Sequence, residues 1–192
     1  MAGDLRVDHA VSSGTFSLDG ETFDVDNNIW VVGDDAECVV IDAPHDVDAI
    51  LAVVGDRRVT AIVCTHAHDD HVRVAPALRD RTGAPILLHP DDRPLWELTH
   101  GTAVSWDEDL ADAGRIEVGG MALTVLHTPG HAPGAVCLYA ADLGCWDELG
   151  LIHRLLIGTV DAFQGREFDV VFVSLVRSNN EQEPRRRFGF TL

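Results

Sequence analysis

Residues 65–71 read Thr-His-Ala-His-Asp-Asp-His, which places three imidazoles and a free carboxylate within six residues, a donor set suited to a divalent metal. The chemistry this supports is metal-dependent hydrolysis. His66 and His68 are one residue apart, so in an extended or loosely turned segment both side chains point to one side and can chelate a single ion. Asp70 and His71 follow at once and, if a helix begins there, project toward a neighbouring position roughly 3.5–4 Å away, the spacing of a two-metal site.

Such a cluster needs rigid elements around it. Residues 59–64 are mostly β-branched or apolar and predict a buried strand, which puts the ligands on the loop leaving a strand end, where α/β proteins place their chemistry. Residues 123–126 predict another strand, followed by His127-Thr128-Pro129-Gly130-His131-Ala132-Pro133-Gly134 and a further strand at 135–139. The Pro and Gly residues force a tight turn that would hold the His131 imidazole in place.

Together, the His-x-His-x-Asp-His run and the Thr-Pro-Gly-His turn resemble the metallo-β-lactamase superfamily. The resemblance runs from about residue 5 to Gly144 and includes Val39-Val40-Ile41-Asp42-Ala43-Pro44 and Leu87-Leu88-His89-Pro90-Asp91-Asp92. It implies an αββα sandwich in the α/β class. It also implies His66, His68 and His131 as ligands of a first zinc site, and Asp70 and His71 as the first two ligands of a second. Asp70 would double as the catalytic group that orients a metal-bound water. Within the superfamily the first half looks most like the glyoxalase II-type branch, which implies hydrolysis of a small-molecule ester or thioester.

The family pattern also requires an Asp bridging both ions in a Gly-Asp-Thr turn, and a final His on a later strand. Neither occurs in its expected context, because the chain continues as Asp142-Leu143-Gly144-Cys145-Trp146-Asp147-Glu148. One Zn2+ per chain, at His66, His68 and His131, is therefore the expectation, with an incomplete second site and impaired catalysis. Residues 157–179, containing Thr159-Val160-Asp161-Ala162-Phe163-Gln164-Gly165-Arg166-Glu167 and Val176-Arg177-Ser178-Asn179, are instead similar to the motif-V region of superfamily 1 DNA/RNA helicases. No Gly-x4-Gly-Lys-Ser/Thr phosphate loop accompanies them, so neither ATPase nor helicase activity is expected. Aligned on the family's Gly-Asp-Thr turn, Asp161 falls one residue beyond the bridging position. A one-residue offset in an extended segment turns a side chain to the opposite face, so Asp161 is read as a solvated or capping residue rather than a ligand.

Charge changes at the same place. Residues 1–144 carry 25 acids against 8 Arg, net −17, whereas residues 145–192 carry 7 acids against 6 Arg, net −1, which together give the chain's −18. This suggests a chimera of a metal-binding region, 1–144, and a helicase-like segment, 145–192. A strongly acidic surface repels phosphate backbones, so no nucleic-acid-binding residue is assigned. No apolar run approaches the roughly 18–20 residues that cross a bilayer, and no signal peptide is recognised, so the expectation is a cytoplasmic protein acting on a small molecule. Cys38, Cys64, Cys137 and Cys145 lack Cys-x-x-Cys spacing, and such residues are most often small buried hydrophobes. His9, His45, His89, His100, His127 and His153 show no ligand pattern, though His89 and His127 are expected near the cavity.

The element order predicted is strands at about 16–23, 28–32 and 37–42, a helix near 46–54, and the strand before the metal loop. A helix over 71–81, a strand at 85–89, a helix at 92–98 and strands at 115–118, 121–127 and 134–140 follow. A sandwich cut after residue 144 would expose a sheet edge and face. Residues 151–157 and the apolar run 168–176 are the expected replacements, and a homodimer is the alternative cover. Three function classes follow: an impaired zinc hydrolase, an inactive metal-binding scaffold, and a weak nucleic-acid-binding fragment acting through the tail.

Overall fold

The computed structural model describes residues 6–18, 20–146 and 152–157. Two sheets face each other. The first has six strands in the order β1 (Arg6–Leu18), β2 (Glu21–Gly33), β3 (Glu37–Ile41), β4 (Arg58–Val63), β5 (Ile86–Leu88) and β6 (Glu108–Asp109). Its β1–β2–β3 portion is antiparallel, and β3 to β6 are parallel. The second is antiparallel, in the order β10 (Ile152–Ile157), β9 (Val136–Trp146), β8 (Met121–His127) and β7 (Arg115–Val118).

Strand alternation decides what each face of the first sheet touches. On one face Ile29, Val31, Cys38, Val40, Ile62, Ile86 and Leu88 pack against α1 (Val47–Val54), α2 (Asp69–Val72), α3 (Ala75–Thr82) and α4 (Arg93–His100) through Ile50, Val54, Val72, Leu78 and Trp96. On the other, Val32, Val39, Ile41, Ala61, Val63 and Leu87 meet Ile116, Val118, Met121, Leu123, Val125, Val136 and Leu138 of the second sheet. The result is the α/β sandwich that the family resemblance implied, with three of its four layers within the described residues.

Three element boundaries differ from the sequence reading. The strand expected at 16–23 spans a turn: β1 and β2 form one long hairpin in which Leu18 pairs with Glu21, and Gly20 takes φ +82°. The helix expected over 71–81 is two helices. Its first-turn carbonyl, that of His71, accepts from the Ala43 N–H (2.8 Å) rather than from the next turn, and Val74 N–H donates to the Ala43 carbonyl (3.1 Å). Pro76 then starts α3, where a missing N–H costs nothing. The two-residue β6 was not foreseen.

The strand β10 adds to the exposed edge of β9, with a register shift between Arg154 and Leu155. Residues 152–157 thus occupy the place expected of them as an extra strand. The run 168–176 and Asp161 lie outside the described residues. Cys38, Cys64 and Cys137 are buried, as their apolar surroundings suggested.

Candidate metal centre

Strand β4, flanked by parallel neighbours, delivers residues 64–71 at its C-terminal end, and the β8–β9 connection delivers residues 128–135 beside it. Three hydrogen bonds hold the two loops together. Val136 N–H donates to the Thr65 carbonyl (2.8 Å). The wholly buried Asp92 carboxylate accepts from Ala67 N–H through Oδ2 (2.8 Å) and from Gly134 N–H through Oδ1 (2.5 Å). A Cβ at residue 134 would lie 2.9 Å from the Asp92 carboxyl carbon, so Gly is needed for this approach. Burial raises the Asp92 pKa, against the lowering by the Gly134 and Ala67 amides.

Asp42 is the second organiser. It adopts a left-handed φ of +64°, a strained conformation for a non-glycine residue, and its carboxylate accepts from Thr65 N–H (2.7 Å), Thr65 Oγ1 (2.9 Å) and His71 Nδ1 (2.8 Å). The Thr65 hydroxyl has a single proton, given to Asp42. Its 3.2 Å contact with His66 Nδ1 is therefore a bond that the imidazole donates. This fixes the tautomer of His66, leaving the Nε2 lone pair toward the loops. That atom is buried and has no hydrogen-bond partner.

His68 and His131 complete the cluster. Ligand atoms of His66, His68 and His131 all lie within 4.8 Å of one another, and His68 Nδ1 is 3.1 Å from His131 Nε2. Burial lowers the His66 pKa well below its usual value, with further lowering by His71, His68 and His131, and burial with His131 brings His68 to about 4. Imidazole nitrogens gathered this closely are what a borderline metal binds. The donor chemistry and the unpartnered His66 Nε2 fit such an ion.

The remaining two predicted ligands are also brought here but are differently occupied. Asp70 and His71 are buried, and their Oδ2 and Nε2 atoms lie 3.8 Å apart. Asn27 Nδ2 contacts both, at 3.0 and 3.3 Å. Burial lowers the His71 pKa, but Asp42, with Asp70 and Asp69, outweighs it and leaves the value raised. His89 and His127 stack with ring centroids 3.9 Å apart and planes 13° from parallel, beside the same loop.

Asp42, Asp92 and Asn27 were not singled out by spacing. Their signal was polar residues at inward positions: Asn27 interrupts the buried row Val25, Ile29, Val31, and both aspartates follow apolar strands. A cavity of about 420 Å³ opens against His68, walled by Phe16, Leu95, Leu98, Arg73 and His100. Arg73 is already engaged there, by Asp69 and by the Thr15 carbonyl (2.6 Å).

The chain resembles known proteins along the same residues. It is 36% identical over 124 residues to an uncharacterized protein of Aquifex aeolicus, covering 58% of this chain and 59% of that protein. It is 35% identical over 134 residues to a hydroxyacylglutathione hydrolase of Pseudomonas paraeruginosa, covering 65% of this chain and 48% of that one. The chain thus spans about half the length of these relatives. The fold matches that of BJP-1, a subclass B3 metallo-beta-lactamase of Bradyrhizobium japonicum, with a TM-score of 0.61 at 19% identity over 78% of this chain and 74% of that one. A model for an AAA domain matches residues 140–191. The metallo-beta-lactamase superfamily model matches residues 22–145, which contain both histidine loops and the carboxylates that anchor them, and the chain belongs to that superfamily.

Proposed function

We propose that the protein is a zinc-dependent hydrolase of small-molecule esters or thioesters, holding one ion at His66, His68 and His131 and working with reduced efficiency. The observation that carries this reading is the buried His66 Nε2, freed of its proton by the Asp42–Thr65 relay and left without a partner beside His68 and His131. Zinc bound there would supply Lewis acidity and an activated water. The chain's residues do the rest. Asp70, anchored by Asn27, would orient that water, and the cavity beside His68 would offer an apolar wall of Phe16, Leu95 and Leu98 to the acyl portion of a substrate. The thioester class is supported by the likeness to the hydroxyacylglutathione hydrolase, and the reduced efficiency by the lack of the bridging Asp and last His in their family context.

The test pairs elemental analysis with a thioester hydrolysis assay on the purified chain. The expected result is about one zinc per chain and slow hydrolysis, both lost in His68→Ala. Full zinc content in that variant would overturn the site. Zinc without measurable turnover would favour a metal-binding scaffold, a reading that the match of residues 140–191 to a different family supports.

A further inference from the structure

We infer that Asn27, oriented by His45, closes the second metal position and thereby limits this chain to a single ion; the inference rests on the reading of His66, His68 and His131 as the first site. Asn27 sits on β2 at an inward position, 1% exposed, in a row that is otherwise Val25, Ile29 and Val31. A buried primary amide must satisfy two N–H groups and a carbonyl. Its nitrogen reaches Asp70 Oδ2 at 3.0 Å and His71 Nε2 at 3.3 Å, the two atoms that would hold a second ion. Those atoms are 3.8 Å apart, close enough to share an ion, yet they share the amide.

The amide cannot simply turn over. An ionised carboxylate only accepts, so the NH2 end faces Asp70, and Oδ1 on the other side accepts from His45 Nε2 at 2.8 Å. The His45 ring lies against Gly14 of β1, where any Cβ would overlap it. Gly14, His45 and Asn27 therefore form a continuous wedge from the β1–β2 hairpin into the space between Asp70 and His71. His71 Nδ1 is turned to Asp42, so Nε2 is the ring atom left to face an ion, and it is the atom the amide covers. A second ion would have to displace the amide and strip a buried NH2 of both its acceptors.

The substitution Asn27→Asp is close to isosteric, removes both donors and adds an oxygen as a third ligand atom beside Asp70 and His71. Zinc stoichiometry of the full chain, measured by elemental analysis and native mass spectrometry after equilibration with zinc, is expected to be one for the parent and two for Asn27→Asp. Two tightly held ions in the parent, or one in a folded Asn27→Asp, would overturn the role of the amide while leaving the first site standing. No zinc in either would overturn the first site itself. His68→Ala/His131→Ala leaves Asn27 untouched and reports independently: it is expected to bind no zinc, and one retained ion would show that the second position is open after all.

Discussion

The two halves of the centre are built from the same seven-residue loop, yet they are prepared for different partners. His66 and His68 meet His131 with their rings kept neutral by burial and, at His66, the lone pair aimed inward by a hydrogen-bond relay. Asp70 and His71, two residues further on, have their facing atoms taken up by the Asn27 amide. Ligand identity is therefore a poor guide to ligand availability. What separates the halves is the hydrogen bonding of the residues behind them: Asp42 serves both, through Thr65 and through His71, whereas Asp92 anchors the first and the Asn27–His45 pair covers the second.

The largest effect is expected where the first half is assembled. Asp92→Ala leaves the Ala67 and Gly134 amides without their acceptor, and each buried donor so stranded costs about 1–3 kcal/mol. Chemical denaturation should show a loss of that order, and zinc affinity should fall by at least tenfold because His68 and His131 lose their common anchor. A variant with parental stability and affinity would show that the Val136–Thr65 bond alone sets the geometry.

Asp42→Asn should act more narrowly. The side-chain oxygen it retains can serve Thr65 N–H, but the new NH2 can accept from neither Thr65 Oγ1 nor His71 Nδ1. The tautomer of His66 is then no longer fixed. Zinc affinity is expected to drop with stability falling by about 1 kcal/mol, the scale of one hydrogen bond; an unchanged affinity would remove the relay from the account.

The halves also differ in how they respond to acid. His66 and His68 have lowered values in the folded state, so their contribution is present above pH 6.5 and is lost as pH falls toward 4. His71 has a raised value, so its contribution is present below 6.5 and is lost as pH rises through the folded value. Because His71 changes stability only above pH 6.5, the melting temperature of the metal-free chain should decline between pH 6.5 and 4, and His68→Ala should flatten that decline. A melting temperature that holds or rises over this interval would contradict the burial of neutral rings at His66 and His68. The smallest effect is expected from Asp161→Ala, which should leave zinc content and affinity unchanged; loss of a second ion on that substitution would bring the C-terminal segment into the centre.

Much of this was legible in the sequence because local spacing carries it. The histidine runs, the strand before each, and the apolar alternation of residues 121–127 and 135–140 depend on neighbours only, and the fold follows from them. Boundaries were less legible where tertiary bonds intervene: nothing local announces that Ala43 will take the His71 carbonyl and split the helix over 71–81. Asn27, Asp42 and Asp92 were hidden for a related reason. Each acts on a partner far away in sequence, 23 to 44 residues in the pairs Thr65 with Asp42, Ala67 with Asp92 and His71 with Asn27, so no spacing rule marks them. A polar residue inside an apolar strand row is the one clue available, and Asn27 shows it.

The division between the two halves is tested most directly by zinc content per chain in His131→Ala and in His71→Ala, measured side by side after equilibration with zinc. The account predicts that His131→Ala loses the ion and that His71→Ala keeps it. The reverse, zinc retained without His131 and lost without His71, would contradict it.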